Sequence, residues 1–176
     1  MKRLSVLTLA LALALAAAGC SKSSSPTAAS PTKPTFTADL RPANENPPIG
    51  NAENTGSGTA TVTFDVTRDA NNNITGGTAT FVVTLQGFPA GTQINIAHIH
   101  QGAAGTNGSI VFNTTLTAAE GAVLTNGSGS FTKAAITPGD PAIFNAVLAN
   151  PAGYYFNVHT TLNPGGVARG QLSRVQ

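Results

Sequence analysis

Residues Thr59–Thr67 read TATVTFDVT, with apolar side chains at every second position. Ala60, Val62, Phe64 and Val66 share one face, and Thr59, Thr61, Thr63, Asp65 and Thr67 share the other. This period belongs to a half-buried strand, because a helix face repeats every three or four residues. Thr78–Leu85 alternates in the same way, with Ala79, Phe81, Val83 and Leu85 pointing inward. The cluster Asp69-Ala70-Asn71-Asn72-Asn73 between them is turn chemistry, so the two segments predict a hairpin.

Further strands are expected at Phe36–Leu40, Ile94–His100, Ser109–Leu116, Gly129–Thr132, Tyr154–Thr161 and Val167–Arg174. Gly105–Gly108 and Asn126-Gly127 supply turns between them. Only Asp140–Leu148, after Pro138-Gly139, reads as helical, with Phe144, Val147 and Leu148 on its buried face. The expected fold is all-β: an antiparallel β-sandwich or Greek-key barrel of about eight strands with one short helix near 140–148. The 24 Thr, 19 Gly and 15 Asn among 176 residues agree with it. Charged residues make up only 9% of the chain, so Thr must cover the solvent faces of the strands. So little charge also argues against a nucleic-acid partner, which would need clustered Lys and Arg.

The first residues read as an address. Met1-Lys2-Arg3 is basic, Leu4 to Ala18 is an apolar run, and Gly19 precedes Cys20. This is the layout of a secretory signal, and the run is short for a spanning helix. Ala17-Ala18-Gly19-Cys20 resembles the lipobox of bacterial lipoproteins, which implies cleavage after residue 19 and a lipid on Cys20. Losing Lys2 and Arg3 from nine basic residues leaves seven, against seven Asp and Glu, so the mature chain is near neutral. Residues 20–35 are rich in Ser, Thr and Pro and read as a tether. A domain over 36–175 follows. The expected setting is the cell envelope, across the inner membrane and held by the lipid. Ser21 after the Cys favours an outer membrane where one is present.

Three clusters in the domain go together. They are Ala43-Asn44-Glu45-Asn46-Pro47-Pro48 with Gly56-Ser57-Gly58-Thr59-Ala60; Ile96-Ala97-His98-Ile99-His100-Gln101-Gly102 with Gly105 and Gly108; and Tyr155-Phe156-Asn157-Val158-His159-Thr160 with Asn163-Pro164-Gly165-Gly166 and Arg169-Gly170-Gln171-Leu172. In this order and spacing they resemble the CHRD domain, a module named from chordin and found in secreted bacterial proteins. The resemblance implies an all-β extracytoplasmic module and no particular reaction. It fits a non-enzymatic binding or structural role with an unknown protein or envelope partner.

All three histidines fall in these clusters. His98 and His100 are two apart on a strand and share a face. His159 lies on the face opposite Tyr154, Phe156 and Val158. Ile99 pointing inward turns His98 and His100 outward, but Ile94 and Ile96 share their parity, so a bulge or a strand starting near Ala97 is required. The preferred reading is a polar network in which the histidines, Glu45, Asn157, Thr160 and Arg169 fix loops through hydrogen bonds, with no cofactor. In it Arg169 pairs with Glu45 or loop carbonyls, and Glu45 accepts backbone hydrogens in a tight turn. The alternative is a copper or zinc site built from His98, His100 and His159. The H-x-H pair with a later V-H is also similar to the copper ligands of Cu/Zn superoxide dismutase. With three His and one Cys, the chain lacks that family's fourth copper-binding histidine and its disulfide, and it has no His- and Asp-rich zinc loop, so dismutation is not expected. No nucleophile elbow or carboxylate pair suggests a hydrolase.

Overall fold

The structure is a computed structural model that describes residues 33–176. The signal segment, Cys20 and most of the expected tether lie outside the described residues. The elements, in chain order, are β1 (Thr35–Leu40), β2 (Ser57–Arg68), β3 (Ile74–Gln86), β4 (Thr92–Gln101), β5 (Ser109–Asn113), β6 (Val123–Leu124), β7 (Gly129–Ile136), α1 (Ala142–Ala149), β8 (Tyr154–Thr160), β9 (Ala168–Gln171) and β10 (Ser173–Arg174). One sheet runs β10-β1-β2-β3-β7, and the second runs β5-β4-β8-β9 with β6 beside the start of β4. Neighbouring strands are antiparallel throughout. The sheets do not close on each other, so the architecture is the sandwich rather than the barrel.

The expected hairpin is β2–β3, in register from Ser57↔Gln86 to Thr67↔Gly76. Its turn is organised by Asp69, whose carboxylate accepts from the backbone N–H of Asn71 at 2.9 Å and of Asn73 at 2.8 Å. The inward residues of both strands meet those of the second sheet. Phe81 stacks on Phe156 at 5.8 Å between ring centroids and meets Phe112 edge-on at 5.3 Å. Phe64 lies between Phe36 and Phe144. Aromatic pairs at these spacings add to what their buried area contributes.

Three local expectations are corrected, and one strand is added. The helix buries Ile143, Phe144 and Val147, while Leu148 is only half-buried. At ~100° per residue the first three fall within one arc and Leu148 sits at its rim. The strand expected to reach Leu116 stops at Asn113, whose side-chain oxygen accepts from the N–H of Thr115 at 2.7 Å as Thr115 turns to φ 57°. The run Val167–Arg174 divides at buried Leu172, with β9 pairing in one sheet and β10 in the other. The two-residue strand β6 carries no pattern long enough to foresee.

The parity conflict on β4 resolves as a bulge. Ile94 pairs with Thr160 and Ile96 with His159, which leaves Asn95 as the extra residue. Ile94 is fully buried and Ile96 is 39% exposed, and Ala97 and Ile99 return to the core. The bulge thereby turns His98 and His100 to the outer face. Along β1 and β9 the two sheets meet through an Arg41↔Arg169 bridge. Gly170 is required at this seam, because a Cβ there would stand 2.2 Å from the Asp39 carbonyl oxygen.

Candidate metal centre

Every residue of β8 from Tyr154 to Thr160 is buried. Phe156 and Val158 face the core; Tyr155, Asn157 and His159 face outward under a cover of loops. The loops are tied to one another: Asn46 donates to Gly105 O at 2.9 Å, Asn107 donates to Asn46 O at 2.8 Å, and Asn51 donates to Asn163 Oδ1 at 2.9 Å. Backbone polar groups in such loops need partners once water is excluded.

Strand register sets out the polar face in rows. His98, Asn157 and Arg169 lie side by side across β4, β8 and β9, and His100, Tyr155 and Gln171 form the next row. His159 sits diagonally from His98, opposite Ile96. The three histidines converge. One ligating atom from each lies within 4.8 Å of the other two, and no Cys, Asp or Glu joins them among the described residues. All three side chains are buried.

Two of the rings have fixed tautomers. His100 Nδ1 donates to Gly108 O at 3.0 Å, and His159 Nδ1 donates to Pro164 O at 2.9 Å, because a carbonyl oxygen only accepts. Both Nε2 atoms therefore present lone pairs. His100 Nε2 is buried with no hydrogen-bond partner among the described residues. His159 Nε2 faces His98 Nδ1 at 3.2 Å, a pair that shares one proton. A tetrahedral ion with Zn–N bonds of 2.0–2.1 Å would hold two nitrogens about 3.3 Å apart, so an ion fits where that proton lies. Burial depresses the basicity of all three rings. For His98, burial comes first and the neighbouring His159 and His100 second, taking its pKa to about 4. His100 and His159 are lowered mainly by burial, against the raising effect of their carbonyl partners. Neutral imidazole is the form that ligates a metal.

The other expected site residues fall into two groups. Arg169 lies beside Glu45, with Nε 3.8 Å from Oε2. Its Nε donates to Asn44 O at 2.6 Å, and one terminal nitrogen donates to Thr106 O at 3.1 Å and to Asn107 Oδ1 at 2.9 Å. With Nε and one terminal nitrogen committed to two loops, near Asn44 and at Thr106-Asn107, the guanidinium is a clasp. Among the described residues Glu45 accepts no backbone hydrogen, contrary to the expectation of a tight-turn acceptor. Its carboxylate lies against Gly166, where φ is +127° and a Cβ would approach Asn157 Nδ2 to 2.4 Å and Glu45 Oε1 to 3.0 Å. Burial outweighs the attraction of Arg169 and raises the Glu45 pKa to about 7. Glu45 Oε1, Asn157 Oδ1 and Arg169 Nη2 have no partner among the described residues, so the network is not fully paired.

Thr160 stands apart from this group. Its hydroxyl donates to Glu53 Oε2 at 2.7 Å, and Asn163 donates to the same carboxylate oxygen. Glu53 is buried, yet nothing in its sequence surroundings marks it. Tyr155 was also not singled out as a site residue. Its ring stacks on His100 at 4.8 Å and 5° between planes, its hydroxyl accepts from Gly108 N–H at 3.1 Å, and the Arg169 guanidinium lies 4.7 Å from its ring centroid. The signals available were its place at the head of the third cluster and its parity with Asn157 and His159.

Residues 36–172 match the family model described as CHRD domain. Neither the curated proteins nor the solved structures gave a significant match.

Proposed function

The chain belongs to the CHRD domain family, and from that premise we propose that it is a non-enzymatic envelope module that binds one copper or zinc ion through His98, His100 and His159. The observation that carries the reading is the convergence of three neutral imidazoles, with a ligating atom of each within 4.8 Å of the others and two tautomers fixed by carbonyl acceptors. Imidazole donors suit copper and zinc, and the hydrogen bonds on the far nitrogens orient the rings as supporting groups do in metal sites. The ion would replace the proton shared by His98 and His159. Arg169, Glu45 and Asn107 keep the covering loops in place around it.

Metal analysis and titration of tag-free protein test this reading. One ion per chain near pH 7.5 is expected, lost in His98→Ala while the fold is retained. Protein that takes up no copper or zinc at micromolar metal leaves the histidines as loop supports.

The lipid on Cys20 belongs to the same proposal. It rests on Ala17-Ala18-Gly19-Cys20 and on Cys20 being the chain's one cysteine. Cys20→Ser is expected to move the protein from the membrane fraction to the soluble fraction, and equal membrane retention of the variant would remove the anchor from the proposal.

A further inference from the structure

We propose that the three-histidine site selects copper(I) over copper(II) and zinc(II), and that Arg169 enforces the choice by its charge. The inference rests on the metal-site reading above. Three features of the site point to a singly charged ion of low coordination number.

The first is the donor set. Three imidazoles bring no negative charge, and no carboxylate or thiolate completes the set among the described residues. A doubly charged ion would keep its whole charge in a buried place, where desolvation weighs most heavily on the more highly charged species.

The second is coordination number. Zinc sites hold four ligands, the fourth being water where the protein supplies three histidines, and copper(II) favours tetragonal arrangements. Here the protein offers three nitrogens from side chains that are only 6–8% exposed. Copper(I) has a filled d shell and is satisfied by a trigonal set.

The third is the field. Arg169 is 3% exposed and lies over one ring of a stack that continues through Tyr155, on the strand between, to His100. Its nearest carboxylate, Glu45, is buried with it and stands with Arg169 rather than among the imidazoles. At roughly 10 Å and an effective dielectric of about 20, the Arg169 charge, to the extent that Glu45 does not offset it, makes one more unit of charge on the ion cost up to about tenfold in affinity. The arrangement therefore penalises copper(II) and zinc(II) against copper(I).

The test is a competition titration of the wild-type protein. Copper(I) is supplied without oxygen against bicinchoninate, and copper(II) and zinc(II) are titrated against chromophoric chelators of known affinity. One copper(I) per chain is expected, bound at least about tenfold more tightly than either divalent ion. Arg169→Gln should lower the copper(I)-to-copper(II) preference by up to about tenfold, and Arg169→Lys should retain it. Tighter binding of copper(II) or zinc(II) by the wild type overturns the inference and leaves the metal site standing. Failure to bind any of the three ions removes the site itself. The wild-type ratio needs no variant, so poor folding of an Arg169 substitution does not spare the proposal.

Discussion

Phe156 and Asn157 are neighbours on β8, both buried and on opposite faces. Phe156 packs on Phe81 across the sandwich; Asn157 sits between His98 and Arg169 beneath the loops. The inner face is held by apolar area removed from water, a non-directional force that asks only for side chains of suitable size. The outer face is held by directed bonds from three loops, and it leaves Glu45 Oε1, Asn157 Oδ1, Arg169 Nη2 and His100 Nε2 without partners among the described residues. An unpaired buried polar group costs about 1–3 kcal/mol, so the outer face is retained at the expense of stability. The core makes the sandwich, and the polar face gives it chemistry.

Truncating one residue on each face draws the contrast most sharply. Phe156→Ala is expected to cost about 3–5 kcal/mol, because it opens a cavity against Phe81. His159→Ala is expected to cost about 1–2 kcal/mol, the scale of the lost bond to Pro164 O, and to abolish metal binding. Urea unfolding of the metal-free proteins measures both. Equal costs would mean that the two faces are held in the same way.

A smaller effect separates the faces by pH. The unfolded histidines titrate near 6.5, and in the folded chain all three lie lower, His98 at about 4. Between those values the unfolded state binds more protons, so stability falls as pH drops below about 6.5. Glu45 works in the opposite direction. Its folded pKa of about 7 lies above the ordinary 4.5, so across that window the folded state holds the extra proton and stability falls as pH rises. The two trends partly cancel between about pH 4.5 and 6.5 in the metal-free protein. Glu45→Gln removes one of them, and the stability–pH slope there should steepen by up to about 1 kcal/mol per pH unit. Unchanged slopes for Glu45→Gln and wild type would show that Glu45 does not titrate across this window.

How much of this was legible follows from what each face depends on. The β2–β3 hairpin was readable because Ala60, Val62, Phe64, Ala79, Phe81, Val83 and Leu85 repeat with a local period, and those side chains are buried. The histidines were identifiable as residue types in motifs. Their burial was not, because the cover is assembled from loops near residues 44–46, 105–108 and 163–166, and the first of these is remote in sequence from all three rings. Glu53 and Thr160 show the same limit. They meet across 107 residues, so Thr160 was grouped with Arg169 when it belongs with Glu53 and Asn163.

The smallest expected effect tests the bulge that joins the two faces. Ile94 and Ile96 have the same side chain, lie two apart on β4 and would share a face in a regular strand. The extra residue at Asn95 separates them: Ile94 is in the core, and Ile96 is 39% exposed opposite His159. Ile94→Ala should cost about 2–4 kcal/mol, on the scale of buried Ile truncations. Ile96→Ala should change stability by less than about 0.5 kcal/mol, as expected at an exposed position. The difference between the two measures how firmly the bulge is set, since a strand that slipped by one residue would expose Ile94 and turn His98 and His100 inward. Comparable costs at both positions would show that the slipped register is populated. Metal affinity should then fall with it, because both imidazoles reach the site only in the bulged register.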